Sequence, residues 1–482
     1  MRKERNISNS VINNFLWRFL ERCGSQGVSF IVSIVLARLI EPEAYGTIAL
    51  VTVFTTILQV FVDSGMGNAL IQKKETDDLD FSTVFFFNLF VCCILYLLIF
   101  IAAPWIALFY EQPELTSVVR VLCLTIVISG LRNVQQAYVS KTMQFKRFFY
   151  STLGGTIIGA IVGILMAYMG GGVWALVAQQ ILNTAVGTLI LWITVRWRPK
   201  KMFSFQRLKG LFSFGWKLLA ASLIDRVYNE LRSLIIGKMY SSADLAYYNR
   251  GNQFPNVIVS NINTSIDSVL LPTMSAEQDH RDRVRAMTRR AIKTSTYIMM
   301  PLMMGLAICA EPVVRLILTE TWLPCVPYLR IFCFTYAFYP IHTANLNAIK
   351  AMGRSDMFLK LEIIKKVVGL IALFSTMWFG VIWMAYSLLF TTLSSSIINA
   401  FPNRKLLGYS YFNQLKDMIP QICLSCIMGI MVYSIKIFPF PDALLLLIQI
   451  FVGAFIYICG SKLFKLESFE YIWKTMKCFV KK

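Results

Sequence analysis

Charge is scarce along this chain: Asp, Glu, Lys and Arg make up 15% of its 482 residues, against roughly 25% in an ordinary soluble domain. Histidine is scarcer still, with two residues, and no group of loop carboxylates is read as catalytic. That removes the usual equipment of an enzyme such as a membrane polymerase or glycosyltransferase, which works through an outward or cytoplasmic catalytic loop. No GxxxxGK[ST] occurs anywhere, so the chain does not hydrolyse ATP with a P-loop. There are eleven cysteines, nearly all in apolar segments, and Cys423 and Cys426, the one pair at CxxC spacing, have no second such pair to complete a metal site. They read as small buried hydrophobes. No connection between apolar runs exceeds about twenty residues, which excludes a separate soluble domain.

What the chain has instead is hydrocarbon. It is 56% hydrophobic with a mean hydropathy of +0.60, and stretches near the length of about 20 apolar residues that spans a bilayer recur from one end to the other. Fourteen are legible, at about 15–39, 45–71, 82–109, 117–139, 149–169, 173–195, 211–239, 250–274, 294–318, 325–349, 358–379, 381–402, 415–437 and 442–464. In lipid only helices and closed barrels satisfy their backbone polar groups, and runs this long and continuous exclude the alternating strands of a barrel. The expected fold is an all-α integral membrane bundle. The first segment is preceded by "MRKERNISNS" and interrupted by Arg18, Glu21 and Arg22, where a signal peptide would keep an unbroken apolar core, so it is read as a retained helix.

The net charge of +21 is distributed by side rather than in a nucleic-acid-binding patch. With fourteen segments alternating across a membrane, 32 of the 47 basic residues fall on the side of the N-terminus, and only Arg38, Lys238, Arg250, Arg315 and Lys436 fall in loops on the other. By the positive-inside rule both termini are cytoplasmic. The densest basic run, "HRDRVRAMTRRAIK", reads as a solvated loop facing lipid headgroups.

The chain also repeats itself. "FLWRFLE" from Phe15 has a counterpart about 200 residues later in "FGWKLLA" from Phe214, and each is followed by a basic residue that closes the helix, Arg38 or Lys238. A short polar turn comes next, Glu41-Pro42-Glu43 in one and Ser241-Ser242-Ala243-Asp244 in the other, before Tyr45 or Tyr247 opens the following helix. A repeat at six helices' distance predicts parallel lobes related by an axis along the membrane normal, with the site between them. The organisation is then residues 1–200 for segments 1 to 6, 201–410 for segments 7 to 12, and 411–482 for the last two segments and a basic tail.

The run "LARLIEPEAYGTIAL", then "DSGMGNALIQKKE" from Asp63 and "STVFFFNL" from Ser82, resembles the N-terminal half of bacterial Wzx-type polysaccharide-repeat flippases. These belong to the multidrug/oligosaccharidyl-lipid/polysaccharide exporter superfamily. The resemblance implies two six-helix lobes around a central cavity lined mainly by segments 1, 2, 7 and 8. It also implies transfer of an undecaprenyl-pyrophosphate-linked oligosaccharide across the bacterial cytoplasmic membrane, for capsule, O-antigen or exopolysaccharide, with a polysaccharide polymerase and other export components as partners.

Polar stripes point to the same four segments. Charged groups in a membrane face protein or water, and here segment 2 carries Thr52, Thr56, Gln59 and Asp63, segment 7 carries Ser222, Asp225, Asn229 and Arg232, segment 8 carries Asn256, Ser260, Asn263 and Asp267, and segment 1 carries Arg18, Glu21, Arg22, Ser25 and Ser29. Segments 5, 11 and 14 are read as poor in such stripes. The substrate-binding candidates are Arg18, Arg22, Asp63, Asp225, Asn229, Arg232, Asn263 and Asp267. Arg22 and Arg232 match a pyrophosphate best, because a guanidinium fork binds phosphate oxygens in pairs; Arg18 lies near enough to the membrane surface to snorkel instead. Arg120 and Arg132 are weaker candidates, Arg226 and Glu230 form an i,i+4 pair, and His342 reads as a core histidine. Asp63 has two readings, a site for a coupling ion (H+ or Na+) or a helix break at "DSG". Gly155, Gly159 and Gly163 read as a packing stripe. No organic cofactor or metal is expected. The mechanism implied is alternating access, driven by an ion gradient or by consumption of product outside. Two rivals of different substrate stay open: a peptidoglycan lipid-precursor flippase, and a multidrug or cation antiporter, whose cavity would be acidic and aromatic.

Overall fold

A computed structural model describes residues 2–63, 66–73 and 75–480. Among them there is no β-strand, and each of the fourteen apolar segments coincides with one helix or with two in succession. The first nine helices are α1 (Arg2–Leu39), α2 (Pro42–Asp63), α3 (Met66–Gln72), α4 (Asp78–Tyr110), α5 (Leu115–Leu122), α6 (Leu124–Lys141), α7 (Lys146–Tyr168), α8 (Val173–Thr194) and α9 (Phe205–Met239). They are followed by α10 (Ser242–Ala276), α11 (Arg281–Ile308), α12 (Ala310–Ile317), α13 (Val326–Ala337), α14 (Tyr339–Ala351), α15 (Ser355–Thr376), α16 (Val381–Leu407), α17 (Tyr411–Ser434), α18 (Asp442–Leu463) and α19 (Glu467–Val480). Among the described residues nine spans, counting α5 with α6 as one, are long and apolar enough to cross a membrane. α9 and α10, at 35 residues each, fall outside that set because of the polar side chains they carry. The chain is a multi-pass membrane protein whose backbone groups are satisfied within its own helices.

Two compact units divide the chain, Met1–Ala246 and Tyr247–Lys482. In the first, the glycines of α7 let α8 approach its backbone: a Cβ added at Gly159 would lie 2.7 Å from the Gln179 carbonyl oxygen, and one at Gly163 would lie 2.8 Å from Gln179 Cβ. Trp17 of α1 meets Phe149 of α7 edge-on with centroids 5.4 Å apart, and Lys146 Nζ stands 5.2 Å over the Trp17 ring. The aromatic of "FLWRFLE" is thereby an anchor between helices.

The two repeated stretches also meet within this unit. Gly46 presses its backbone against that of Ser242, and Gly237 of α9 takes the side chain of Leu50 where a Cβ would stand. Lys238 Nζ donates to the Phe109 carbonyl at 2.6 Å and pairs with Glu111 at 3.0 Å, so the cation that closes α9 fastens it to the end of α4. The polar turn after it is a capping box: Ser241 Oγ accepts from Asp244 N at 3.0 Å, and the Asp244 carboxylate accepts from Ser241 N at 3.2 Å, pairing donors that the start of α10 would leave open.

At the start of α4 a second capping box, between Asp77 and Asp80, is built into a charge cluster. Asp80 is fully buried, held by Lys73 at 2.6 Å and by Arg207 at 3.4 Å. Ser204 N donates to Thr83 Oγ1 at 3.1 Å, which ties the residue capping α9 to α4.

The second unit is cross-linked by buried amides. Asn345 of α14 exchanges hydrogen bonds of 2.8 and 2.9 Å with Gln414 of α17, and Asn403 of α16 donates to Asn345 Oδ1 at 2.6 Å. Such bonds hold helices that apolar surface alone does not bring together in lipid.

Two predictions follow from these contacts. Gly159→Leu overpacks the α7–α8 contact and costs about 1–3 kcal/mol, read as a lowered midpoint of thermal unfolding in detergent. Asp77 is held below the usual carboxylate range, chiefly by the hydrogen bond from Asp80 N and further by Arg207. Its contribution is therefore present above its unfolded pKa and is lost as pH falls: Asp77→Ala is less stable than the parent by about 1 kcal/mol at pH 7, and the gap closes below about pH 4.

Candidate functional site

The charges that segment 2 carries into the membrane end at Asp63, the last residue of α2. Its Oδ1 accepts from Gln59 Nε2, one turn back, and from Asn133 Nδ2 of α6, each at 3.4 Å. Asn133 Nδ2 also donates to the Val62 carbonyl at 3.1 Å, and a Cβ at Gly67 would come within 3.1 Å of Asn133 Oδ1. The missing side chain at Gly67 thus leaves room for the amide that braces Asp63. Asp63 carries an exposed carboxylate, and the two residues after it in "DSG" lie outside the described residues.

Around that carboxylate the unit gathers cations. Arg132 of α6 and Arg226 of α9 both act on it through space. Arg132 is also drawn toward Glu21 of α1, whose Oε1 accepts from Thr152 Oγ1 of α7 at 3.1 Å. Arg226 shares its charge with Glu230 at 3.7 Å, the i,i+4 pair expected from spacing, and remains about half exposed. Four helices, α1, α2, α6 and α9, converge on one cluster of opposite charges. In a medium of low dielectric such charges are tolerated because each has a counter-charge or an amide within reach.

The predicted residues distribute as follows. Asp63 lies at the centre of this cluster. Asp225 and Asn229 share an exposed face of α9, with Asn229 Nδ2 donating to Asp225 Oδ2 at 3.1 Å, and Arg232 is half-buried on the same helix. The side chains of Arg18 and Arg22 lie outside the described residues. In the second unit Asp267 accepts from Asn347 at 2.5 Å, and Asn263 is half-buried with its Oδ1 unpartnered among the described residues.

Arg132, one of the two weaker candidates by sequence, lies within electrostatic reach of Asp63 and Glu21. It was paired with Arg120 on the same segment, yet Arg120 donates to the Phe100 carbonyl at 3.2 Å and lies 4.3 Å over the Phe100 ring, which makes it an anchor to α4. The available signal was its neighbour: Arg132-Asn133 puts a cation and an amide in mid-segment, away from either end. His342 is satisfied as a neutral imidazole. Asn399 Nδ2 lies 3.0 Å from Nδ1, and Nε2 lies 3.2 Å from Ser396 Oγ, whose own hydrogen goes to the Thr392 carbonyl at 3.0 Å. Segment 11 is more polar than its reading, since α15 holds a Glu362–Lys365 pair at 2.5 Å.

Comparison with known proteins adds the lineage. The chain matches the family model described as "Polysaccharide biosynthesis protein" over residues 35–327. It is 23% identical to the succinoglycan biosynthesis transport protein ExoT of Rhizobium meliloti (strain 1021), over 74% of this chain and 72% of that one. It is equally 23% identical to the teichuronic acid biosynthesis protein TuaB of Bacillus subtilis (strain 168), over 84% and 85%. Among solved structures, lipid II flippase MurJ in an inward closed conformation superposes with a TM-score of 0.76 at 16% identity, over 94% of this chain and 98% of that one, a likeness of fold. With more than half of its length matched by the family model and an all-helical membrane fold, the chain belongs to the polysaccharide biosynthesis protein family.

Proposed function

We propose that this protein is a flippase that carries undecaprenyl-pyrophosphate-linked oligosaccharide repeat units across the bacterial cytoplasmic membrane, for capsule, O-antigen or exopolysaccharide assembly. The observation that carries this reading is the cluster around Asp63, where exposed groups on membrane helices include Asp225, Arg226 and Asn229. Charges left exposed on spanning helices face water rather than lipid, and water within the membrane is what a hydrated diphosphate and its sugars need. Guanidinium groups such as Arg132 and Arg226 offer paired donors to phosphate oxygens, while amides and carboxylates such as Asn229 and Asp225 suit sugar hydroxyls. The printed names of ExoT and TuaB, a transport protein for succinoglycan biosynthesis and a teichuronic acid biosynthesis protein, support a polysaccharide cargo.

In this mechanism no covalent bond changes. The lipid tail stays in the bilayer while the headgroup enters a hydrated cavity, for which Arg18, Arg22, Arg232, Asn263 and Asp267 are the further candidate contacts. Rocking of the lobes then exposes the headgroup on the other side. Both termini face the cytoplasm by the distribution of basic residues. An H+ or Na+ gradient acting at Asp63, or consumption of the product outside by a polymerase, supplies direction.

The test is translocation of a fluorescent undecaprenyl-pyrophosphate oligosaccharide in proteoliposomes. The parent protein moves the lipid, and Arg132→Gln and Arg226→Gln, purified as monodisperse protein, slow it about ten- to a hundredfold, the worth of a charged hydrogen bond of about 1.5–3 kcal/mol. Equal rates in parent and variants, or exchange of a small organic cation for protons by a protein that ignores the lipid, would overturn the reading.

A further inference from the structure

A second charged site lies in the Tyr247–Lys482 unit, on helices other than those of the cluster just described. α11, α17 and the start of α19 enclose a cleft of about 670 Å³. Five cations line it, Arg285, Arg289, Lys293, Lys416 and Lys465, against three carboxylates, Asp282, Asp417 and Glu467.

The cations divide into two groups. Arg289 and Lys293 are structural. Arg289 grips Asp417 with two bonds of 2.8 Å, Tyr409 OH donates to the same carboxylate at 2.7 Å, and Lys293 bridges Asp417 and Glu467, which fastens α11 to α17 and α19. The bonds from Arg289 and Tyr409 leave the Asp417 carboxylate fully engaged within the scaffold. Arg285, Lys416 and Lys465 make no side-chain hydrogen bond or ion pair among the described residues, and all three are exposed. Lys465 sits at φ 47°, a left-handed conformation that a side-chain-bearing residue seldom adopts, in the turn that brings it to the rim. The cleft is therefore braced by one set of charges and left with three unspent cations.

Its surroundings select the ligand. Phe412 and Phe464, next in sequence to cleft residues, and Leu463, one residue further, are 76%, 61% and 77% exposed, and α19 carries Tyr471, over which Arg290 stacks at 5.0 Å. Apolar and aromatic side chains beside unpaired Lys and Arg mark the level of lipid headgroups. We infer that this cleft binds the phosphate headgroup of an anionic phospholipid, with Arg285, Lys416 and Lys465 as its donors and the exposed apolar residues against the acyl chains. The site depends on the membrane reading of the chain and not on its cargo.

The experiment is native mass spectrometry of the full-length protein titrated with phosphatidylglycerol, with phosphatidylcholine as the zwitterionic control and glycerol 3-phosphate as the soluble headgroup. The protein retains phosphatidylglycerol in preference to phosphatidylcholine, and glycerol 3-phosphate at the same concentration does not displace it. Each cation is worth about fivefold in affinity near an anionic surface. Lys416→Gln therefore weakens retention about fivefold and the Arg285→Gln/Lys416→Gln/Lys465→Gln triple about a hundredfold, while the equally discharged Lys201→Gln/Lys360→Gln/Arg404→Gln triple keeps parental retention. Should the cleft triple fail to elute as folded protein, the single Lys416→Gln, at an exposed position, decides the matter. Retention unchanged in the cleft variants, an equal loss in the control triple, or displacement by glycerol 3-phosphate each overturns a phospholipid site, the last in favour of a free phosphate compound.

Discussion

A charge surrounded by hydrocarbon must find a counter-charge, an amide or water, and the organisation of this protein follows from that cost. The same constraint that makes the chain helical throughout, with backbone groups bonded within each helix, sorts its few ionisable side chains into clusters. Asp80 is fully buried but reached by Lys73 and Arg207. Asp63 is bonded by Gln59 and Asn133 with Arg132 and Arg226 in electrostatic reach. Asp417 takes Arg289, Lys293 and Tyr409 at once.

These clusters differ in how much of their charge is spent, and the difference separates scaffold from site. Around Asp80 the cations are consumed in holding Lys73, after α3, and Arg207 of α9 to the start of α4. Around Asp63 the carboxylate and the flanking Asp225, Arg226 and Asn229 stay exposed, so the cluster retains bonding capacity for a polar cargo. A membrane protein gains little from hydrophobic association of its helices in lipid, so such polar fasteners, together with glycine contacts like Gly46 on Ser242 and Gly159 on Gln179, carry much of the tertiary specificity. The repeated motifs fit this division. Trp17, Lys238 and the Ser241 box are fasteners, and the proposed site lies on the polar stripes between them.

Much of this was legible beforehand. The helical class, the fourteen segments, the packing glycines of α7 and the Arg226–Glu230 pair all depend on runs and spacings within one helix, which periodicity records directly. The polar stripe of segment 2 pointed to Asp63 for the same reason. That Arg132 and not Arg120 meets the Asp63 cluster was not legible, because the two sit on one segment with the same side chain and differ only in what the neighbouring helix offers: Phe100 for one, Asp63 and Glu21 for the other. The pairing of Glu362 with Lys365 hid the polarity of α15 in a similar way, since opposite charges one turn apart cancel in a reading of stripes.

By itself, then, the sequence determined that this is an all-helical membrane protein and which helices carry polar faces, since both are consequences of composition and of the 3.6-residue period. The tertiary structure alone decided which charges meet, which are spent as fasteners and which stay open. It also turned the C-terminal basic tail into α19, whose first turn closes a cationic cleft against α11 and α17. Contacts between helices distant in sequence depend on the crossing of whole elements, and no local pattern encodes where two of them will cross.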